Sequence, residues 1–226
     1  MRTRISNLTK TTNDYIQKVY LWMFVGLIIT SLTAYFVSQN SDLYNVILGN
    51  DIVFYGLLIA QFVAIVSIVA FIKRIPDSLA ESTFVLYCFL TGLTLSTIFL
   101  AFSITSIGYV VIVTAGMFGF MSLYGYITKT DLTSLGNVAI MALFGIILAL
   151  IVNLFIGNSV LDTILSILGV LVFSALTAYD TQNIKNTLYS DGDLVKKEIL
   201  GALNLYLDFV NIFLDLIKLL GKSRDN

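Results

Sequence analysis

Residues 199–220 read ILGALNLYLDFVNIFLDLIKLL. A helix of about 20 apolar residues crosses a bilayer, so this run is long enough. Yet it holds Asn204, Asp208, Asn211 and Asp215, at spacings of four, three and four. On a helix those four share one face, and most of the remaining surface is Leu, Ile, Val, Phe and Tyr. A carboxylate in hydrocarbon costs about 3 kcal/mol on insertion scales, so the stripe must face protein or water. Six other hydrophobic segments precede it. The expectation is an all-α, polytopic membrane protein of seven transmembrane helices, with the last helix central and wrapped by the other six.

Composition supports that class. The chain has 226 residues, 58% of them hydrophobic and only 12% charged, with a mean hydropathy of +0.91. Soluble domains carry about twice that charged fraction. A net charge of −1 gives no basic surface for nucleic acid. The single cysteine, Cys88, lies inside a hydrophobic segment, which excludes a disulfide framework and a thiolate metal cluster. Histidine is absent. The usual zinc ligand, general base and pH switch are therefore missing, and proton sensing falls to carboxylates.

Taken in order, residues 1–18 form a polar cytoplasmic segment with Arg2, Arg4, Lys10 and Lys18. The membrane domain is expected over residues 19–221, with a tail at 222–226. Spans are predicted at Val19–Val37, Ile52–Ile72, Thr83–Ile104, Tyr109–Ile127, Leu135–Ile156, Val160–Tyr179 and Ile199–Leu220. With the N-terminus inside, the cytoplasmic pieces hold Arg2, Arg4, Lys10, Lys18, Lys73, Arg74, Lys129, Lys185, Lys196 and Lys197. Only Lys218, Lys222 and Arg224 fall on the other side, which satisfies the positive-inside rule for an inner-membrane protein. That C-terminal trio leaves open a re-entrant last segment returning to the cytoplasm. The outer links are Ser38–Asp51, Thr105–Gly108 and Gly157–Ser159. The longest inner loop, Asp180–Glu198, contains a predicted turn at Asp191-Gly192. Small-residue pairs at Gly92/Ser96, Ala115/Gly119 and Gly145/Ala149 predict close helix contacts.

Two acids stand out as candidate chemistry. Asp180 comes where the sixth span meets the cytoplasm, and Asp208 lies nine residues into the seventh, ~13 Å along its axis. Two carboxylates a few ångström apart cannot both ionise cheaply in a low-dielectric site. Protonated, such a pair shares a proton and closes a gap between helices; deprotonated, it repels itself, attracts a cation and opens. Depth opposes the pairing, because the expected span ends put the two ~10 Å apart along the normal. Lys73 and Arg74 close the second span on the same side, either as anchors or as a latch on Asp180, for which an arginine fork is the better fit. Asp77 and Glu81 read as solvated, and Asp162 suits a helix N-terminus. Asp215, on the stripe, either pairs with Lys218 at the surface or continues a cation path outward. Carboxylate and amide oxygens suit Ca²⁺, Mg²⁺ or Na⁺. Two aspartates and two asparagines underfill a calcium shell, giving a weak site fit for passage.

The C-terminal stretch Gly201–Leu214, continuing to Leu219-Leu-Gly221, resembles the signature of the Bax inhibitor-1 (transmembrane BAX inhibitor motif) family, in its bacterial YccA/YetJ-like branch. Leu176–Gln182, Leu90–Leu95 and Val19–Met23 resemble its other blocks. The resemblance implies a pH-sensitive calcium leak gated by an aspartate dyad, here Asp180 and Asp208, which would also be the weak calcium position. It places the latch on Arg74; Asn204, Asn211 and Asp215, taken from the stripe itself, are the candidate pore-lining residues. Asp215 departs from the family pattern, where a neutral residue is expected. Calcium enters as the transported ion, and no cofactor is implied. A second implied role is to bind and restrain the membrane protease FtsH. An intramembrane hydrolase is disfavoured, since no Gly-x-Gly-Asp block surrounds either aspartate.

Overall fold

The computed structural model describes residues 2–187 and 193–224, with residues 2–12 and 48 described in backbone only. The described residues are helical throughout, with seven helices long and apolar enough to cross a membrane. The chain is a multi-pass membrane protein. It divides into two compact units: Met1–Phe102 with Thr187–Tyr206, and Ser103–Asn186 with Leu207–Asn226.

The first unit holds α1 (Arg2–Gln39), α2 (Ser41–Leu48), α3 (Asp51–Phe71), α4 (Asp77–Leu95) and α5 (Ile98–Ala101). It also takes the first half of α9 (Leu194–Leu220). α1 begins well before the expected Val19 because residues 2–18 contain neither Gly nor Pro to stop it. The link expected at Ser38–Asp51 instead contains α2, capped by the Asn40 side chain accepting from the Asp42 and Leu43 amides. Asn50 caps α3 in the same way. The third span is interrupted at Ser96–Thr97 rather than continuous. The hydroxyls of Thr91, Thr94, Ser96 and Thr97 all turn back onto carbonyls three or four residues earlier, which competes with the helical ladder. α1 packs on α4 where glycine permits it: a Cβ on Gly92 would lie 2.6 Å from the Thr33 Cβ.

The interior of this unit is aromatic. Trp22 meets Phe84 edge-on at 6.1 Å, and Phe84 and Tyr87 meet Tyr206 at 6.0 and 5.9 Å. Two ion pairs tie in the start of α9. Buried Glu198 lies 3.2 Å from Lys18, and Lys196 lies 3.9 Å from Asp77.

The second unit holds α6 (Ile104–Ile127), α7 (Thr133–Ile156), nearly all of α8 (Ser159–Thr187) and the second half of α9. α6 starts five residues before the expected Tyr109, capped by Ser103, so the link placed at Thr105–Gly108 is helix. α7 and α8 pack through Ala139, Ile146, Leu165, Val172 and Leu176. Their tight outer connection uses Gly157 at φ +68° and Asn153, which donates to the Asn158 carbonyl and the Asp162 carboxyl. Ala115, Gly119 and Gly145 are exposed, and Ala149 is only half-buried. The helical period points Thr114, Phe118 and Ile146 inward instead, so these two small pairs do not make the expected contacts, whereas Gly92 and Ser96 are buried.

Most of the loop expected at Asp180–Glu198 is helix. No Gly or Pro lies between Tyr179 and Thr187, so α8 runs on past Asp180, and α9 starts at Leu194. The Asp191-Gly192 turn lies outside the described residues. α9 runs its full length to the start of α6. There the Lys222 amide donates to the Ser106 hydroxyl and the Lys222 carbonyl accepts from the Ser103 amide. The last segment therefore does not turn back on itself. α9 and α8 are the most buried spans, with 56% and 50% of their apolar windows covered against 11% for α3.

Candidate functional site

The residues around Asp180 fix α8 firmly. Gly125 on α6 lies directly against the backbone of Ala178, so any Cβ there would collide with the Ala178 carbonyl. Gly136 on α7 does the same for the Tyr179 ring, 2.5 Å from where its Cβ would stand. Thr181 shares a 3.1 Å hydrogen bond with Ser122 of α6. Gln182 accepts from the Leu132 amide and donates to the Thr130 carbonyl, both at 2.8 Å. Lys185 donates to the Tyr126 carbonyl and lies 5.1 Å from that ring. Ala178, Tyr179, Thr181, Gln182 and Lys185 thus all engage α6, α7 or the link between them. Asp180, half-buried, is left to act on α9.

Asp208 is 3% exposed. The Thr177 hydroxyl lies against its carboxyl, and the Asp180 charge acts on it. Thr177 donates to the Phe173 carbonyl at 2.8 Å. The Asp208 Oδ2 has no hydrogen-bond partner, and the Ser174 Oγ is the other such buried side-chain atom among the described residues. A buried carboxyl oxygen without a partner carries a desolvation cost of about 1–3 kcal/mol. Asp180 and Asp208 come within electrostatic reach despite the depth objection, because α8 continues as helix beyond Asp180 and α9 begins five residues earlier than expected.

The other stripe residues are half-buried. Asn204 lies one turn before Asp208, in the first unit. The Asn211 amide nitrogen donates to the Leu207 carbonyl. The Asp215 carboxyl rests on Gly169 of α8. Arg74 is exposed in the turn after α3, in the first unit. Among the described residues no group of three or more His, Cys, Asp or Glu converges. Asp180 and Asp208 are instead a pair of carboxyls that act on each other, with the Thr177 hydroxyl against Asp208.

Sequence reading passed over Thr177, Ser174, Gly169 and Glu198. Ser174, Thr177 and Thr181 are three and four residues apart on α8, a polar series that helical spacing could have revealed, with Thr177 against Asp208 of α9 and Thr181 against Ser122 of α6. Glu198 reads in sequence as one more loop charge. Only the tertiary contact with Lys18 marks it out.

Known proteins resemble the chain over nearly its whole length. A family described as "Inhibitor of apoptosis-promoting Bax1" matches residues 12–225. The inner membrane protein YbhL of Escherichia coli K12 is 43% identical over 93% of this chain and 92% of its own. A protein of Borreliella burgdorferi is 40% identical over 95% and 94%. A membrane protein of Streptococcus pyogenes serotype M3 is 30% identical over 93% of each chain. Matched over nearly its whole length, with all seven spans inside the matched region, the chain belongs to the Bax inhibitor-1 family.

Proposed function

We propose that this protein is a pH-sensitive, calcium-permeable leak pathway of the inner membrane, its cytoplasmic end gated by proton exchange at Asp180 and Asp208. The observation that supports this most is the buried Asp208 oxygen left without a partner beside a second aspartate. With one proton between them, the two carboxyls bridge α8 and α9 and hold the helices together. With none, two negative charges face each other in a medium that screens them poorly, so they part and draw in a cation. Asn204 and Asn211 extend the oxygen-bearing face along α9, and few strong ligands mean fast release. Arg74 acts as the latch: its guanidinium, when it reaches Asp180, holds that carboxylate in place. The name of the E. coli relative, an inner membrane protein, supports the location.

The test is calcium flux into dye-loaded liposomes carrying the full chain, measured across pH. Flux should rise with pH in the wild type. Asp180→Ala and Asp208→Ala should each abolish that dependence. Unchanged flux and pH profile in both variants would refute the mechanism.

A second reading, restraint of the FtsH protease, draws on the continuation of α1 as a helix through the polar residues from Arg2. Loss of protease co-purification on deleting residues 1–15, with flux intact, would separate it from the first.

A further inference from the structure

The position of Asp215 does not fit a simple surface ion pair. Lys218 follows it by three residues and is exposed, and its charge acts on the Asp215 carboxyl. The carboxyl itself, however, lies on Gly169 of α8, where any added side chain would run into it. It therefore points into the α8–α9 seam. The same seam carries Asp208 against Thr177. Between these two crossings α8 carries Ser174 and Val170, both buried, and α9 carries Asn211. Ser174 is 7% exposed and its Oγ has no partner. Asn211 commits its nitrogen to the Leu207 carbonyl, which leaves its amide oxygen as the free polar atom. The groups left over along this stretch are all oxygens: Asp208 Oδ2, Ser174 Oγ, Asn211 Oδ1 and the Asp215 carboxylate.

We infer that Asp215, seated on Gly169 and approached past Ser174 and Asn211, forms a second position for a partly hydrated divalent cation, two helical turns beyond Asp208. Seven residues separate the two acids, ~10 Å along the axis. One carboxylate, a hydroxyl and an amide fall short of the six to eight oxygens calcium takes, so water completes the shell and binding is weak. Two weak positions in file allow an ion at one to help expel an ion from the other. Gly169 sets the width: the missing side chain is the space the carboxylate occupies. Lys218 supplies a counter-charge that lowers affinity and speeds release at the outer end. The inference rests on the leak reading for its purpose, but not for its test.

That test is equilibrium dialysis of radiolabelled Ca²⁺ against the full chain in nanodiscs. Asp215→Asn, close to isosteric, should lose about half of the calcium bound by the wild type. Asp208→Asn should lose the other half. Gly169→Ala should reproduce the Asp215→Asn loss without removing a charge, and Lys218→Met should raise retention. Calcium binding unchanged in both Asp215→Asn and Gly169→Ala would overturn the second position, whatever Asp208→Asn does. Loss in Asp215→Asn and Gly169→Ala, with none in Asp208→Asn, would uphold it while removing the dyad from the cation path.

Discussion

Tyr206 and Asp208 are two residues apart on α9, and both are buried, but one belongs to each unit and they are treated differently. The Tyr206 hydroxyl shares a 2.6 Å hydrogen bond with Thr30, which itself donates to the Cys88 carbonyl at 2.9 Å. Phe84 and Tyr87 enclose the ring. Asp208 keeps an oxygen with no partner, and so does Ser174 on α8 of the same unit. A satisfied polar group in a core is explained by stability alone. An unsatisfied one weakens the fold, so its retention calls for another reason, and exchange of protons or cations supplies one. The first half of α9 has its buried polar group partnered; the second half keeps an open carboxyl oxygen, where the proposed exchange takes place.

Four substitutions test this division, the strongest first. Asp208→Asn should flatten the rise of calcium flux with pH while leaving the protein folded; a retained slope would erase the contrast. Thr30→Val breaks the partnered side, taking the Thr30 hydroxyl away from both Tyr206 and the Cys88 carbonyl. It should lower unfolding stability in detergent by about 1–3 kcal/mol and leave the pH profile of flux intact. Ser174→Ala removes an oxygen that bonds to nothing, so stability should change by less than about 0.5 kcal/mol or rise slightly. A loss as large as that of Thr30→Val would show that Ser174 is partnered after all.

The smallest effect belongs to Asp131, at the exposed link before α7. Its carboxylate accepts from the Thr133 hydroxyl and, at 2.9 Å, from the Thr133 amide, and this hydrogen bonding holds its pKa below the ordinary 3.8. A depressed carboxyl stabilises the fold above its unfolded value and loses that contribution as pH falls through the lower folded one. Asp131→Ala should therefore cost a little stability near neutrality and nothing in strong acid. A difference that persists below that range would point to packing instead.

Much of this was legible in the sequence. Seven apolar runs gave seven spans, and the three-and-four spacing of Asn204, Asp208, Asn211 and Asp215 announced a polar face. What escaped was set by neighbours. Nothing local distinguishes Gly169, which makes room for a carboxylate, from Gly145, which faces outward, since both are glycines in apolar helices. The break at Ser96–Thr97 was visible only as ordinary hydroxyl residues. The apolar runs end at Tyr179 and resume at Ile199, but the helices reach Thr187 and begin at Leu194, because a helix can outrun its apolar stretch where no Gly or Pro stops it.

Trp22 is the chain's one tryptophan, and it stacks edge-on to Phe84 inside the first unit. Selectively excited indole emission therefore reports on that unit alone, and the acid-bearing unit is dark at that wavelength. A pH titration followed by intrinsic fluorescence thus comes with a built-in control. A flat signal alongside changing flux would confine the proton-driven rearrangement to the dark half, whereas a moving signal would mean the aromatic half responds as well.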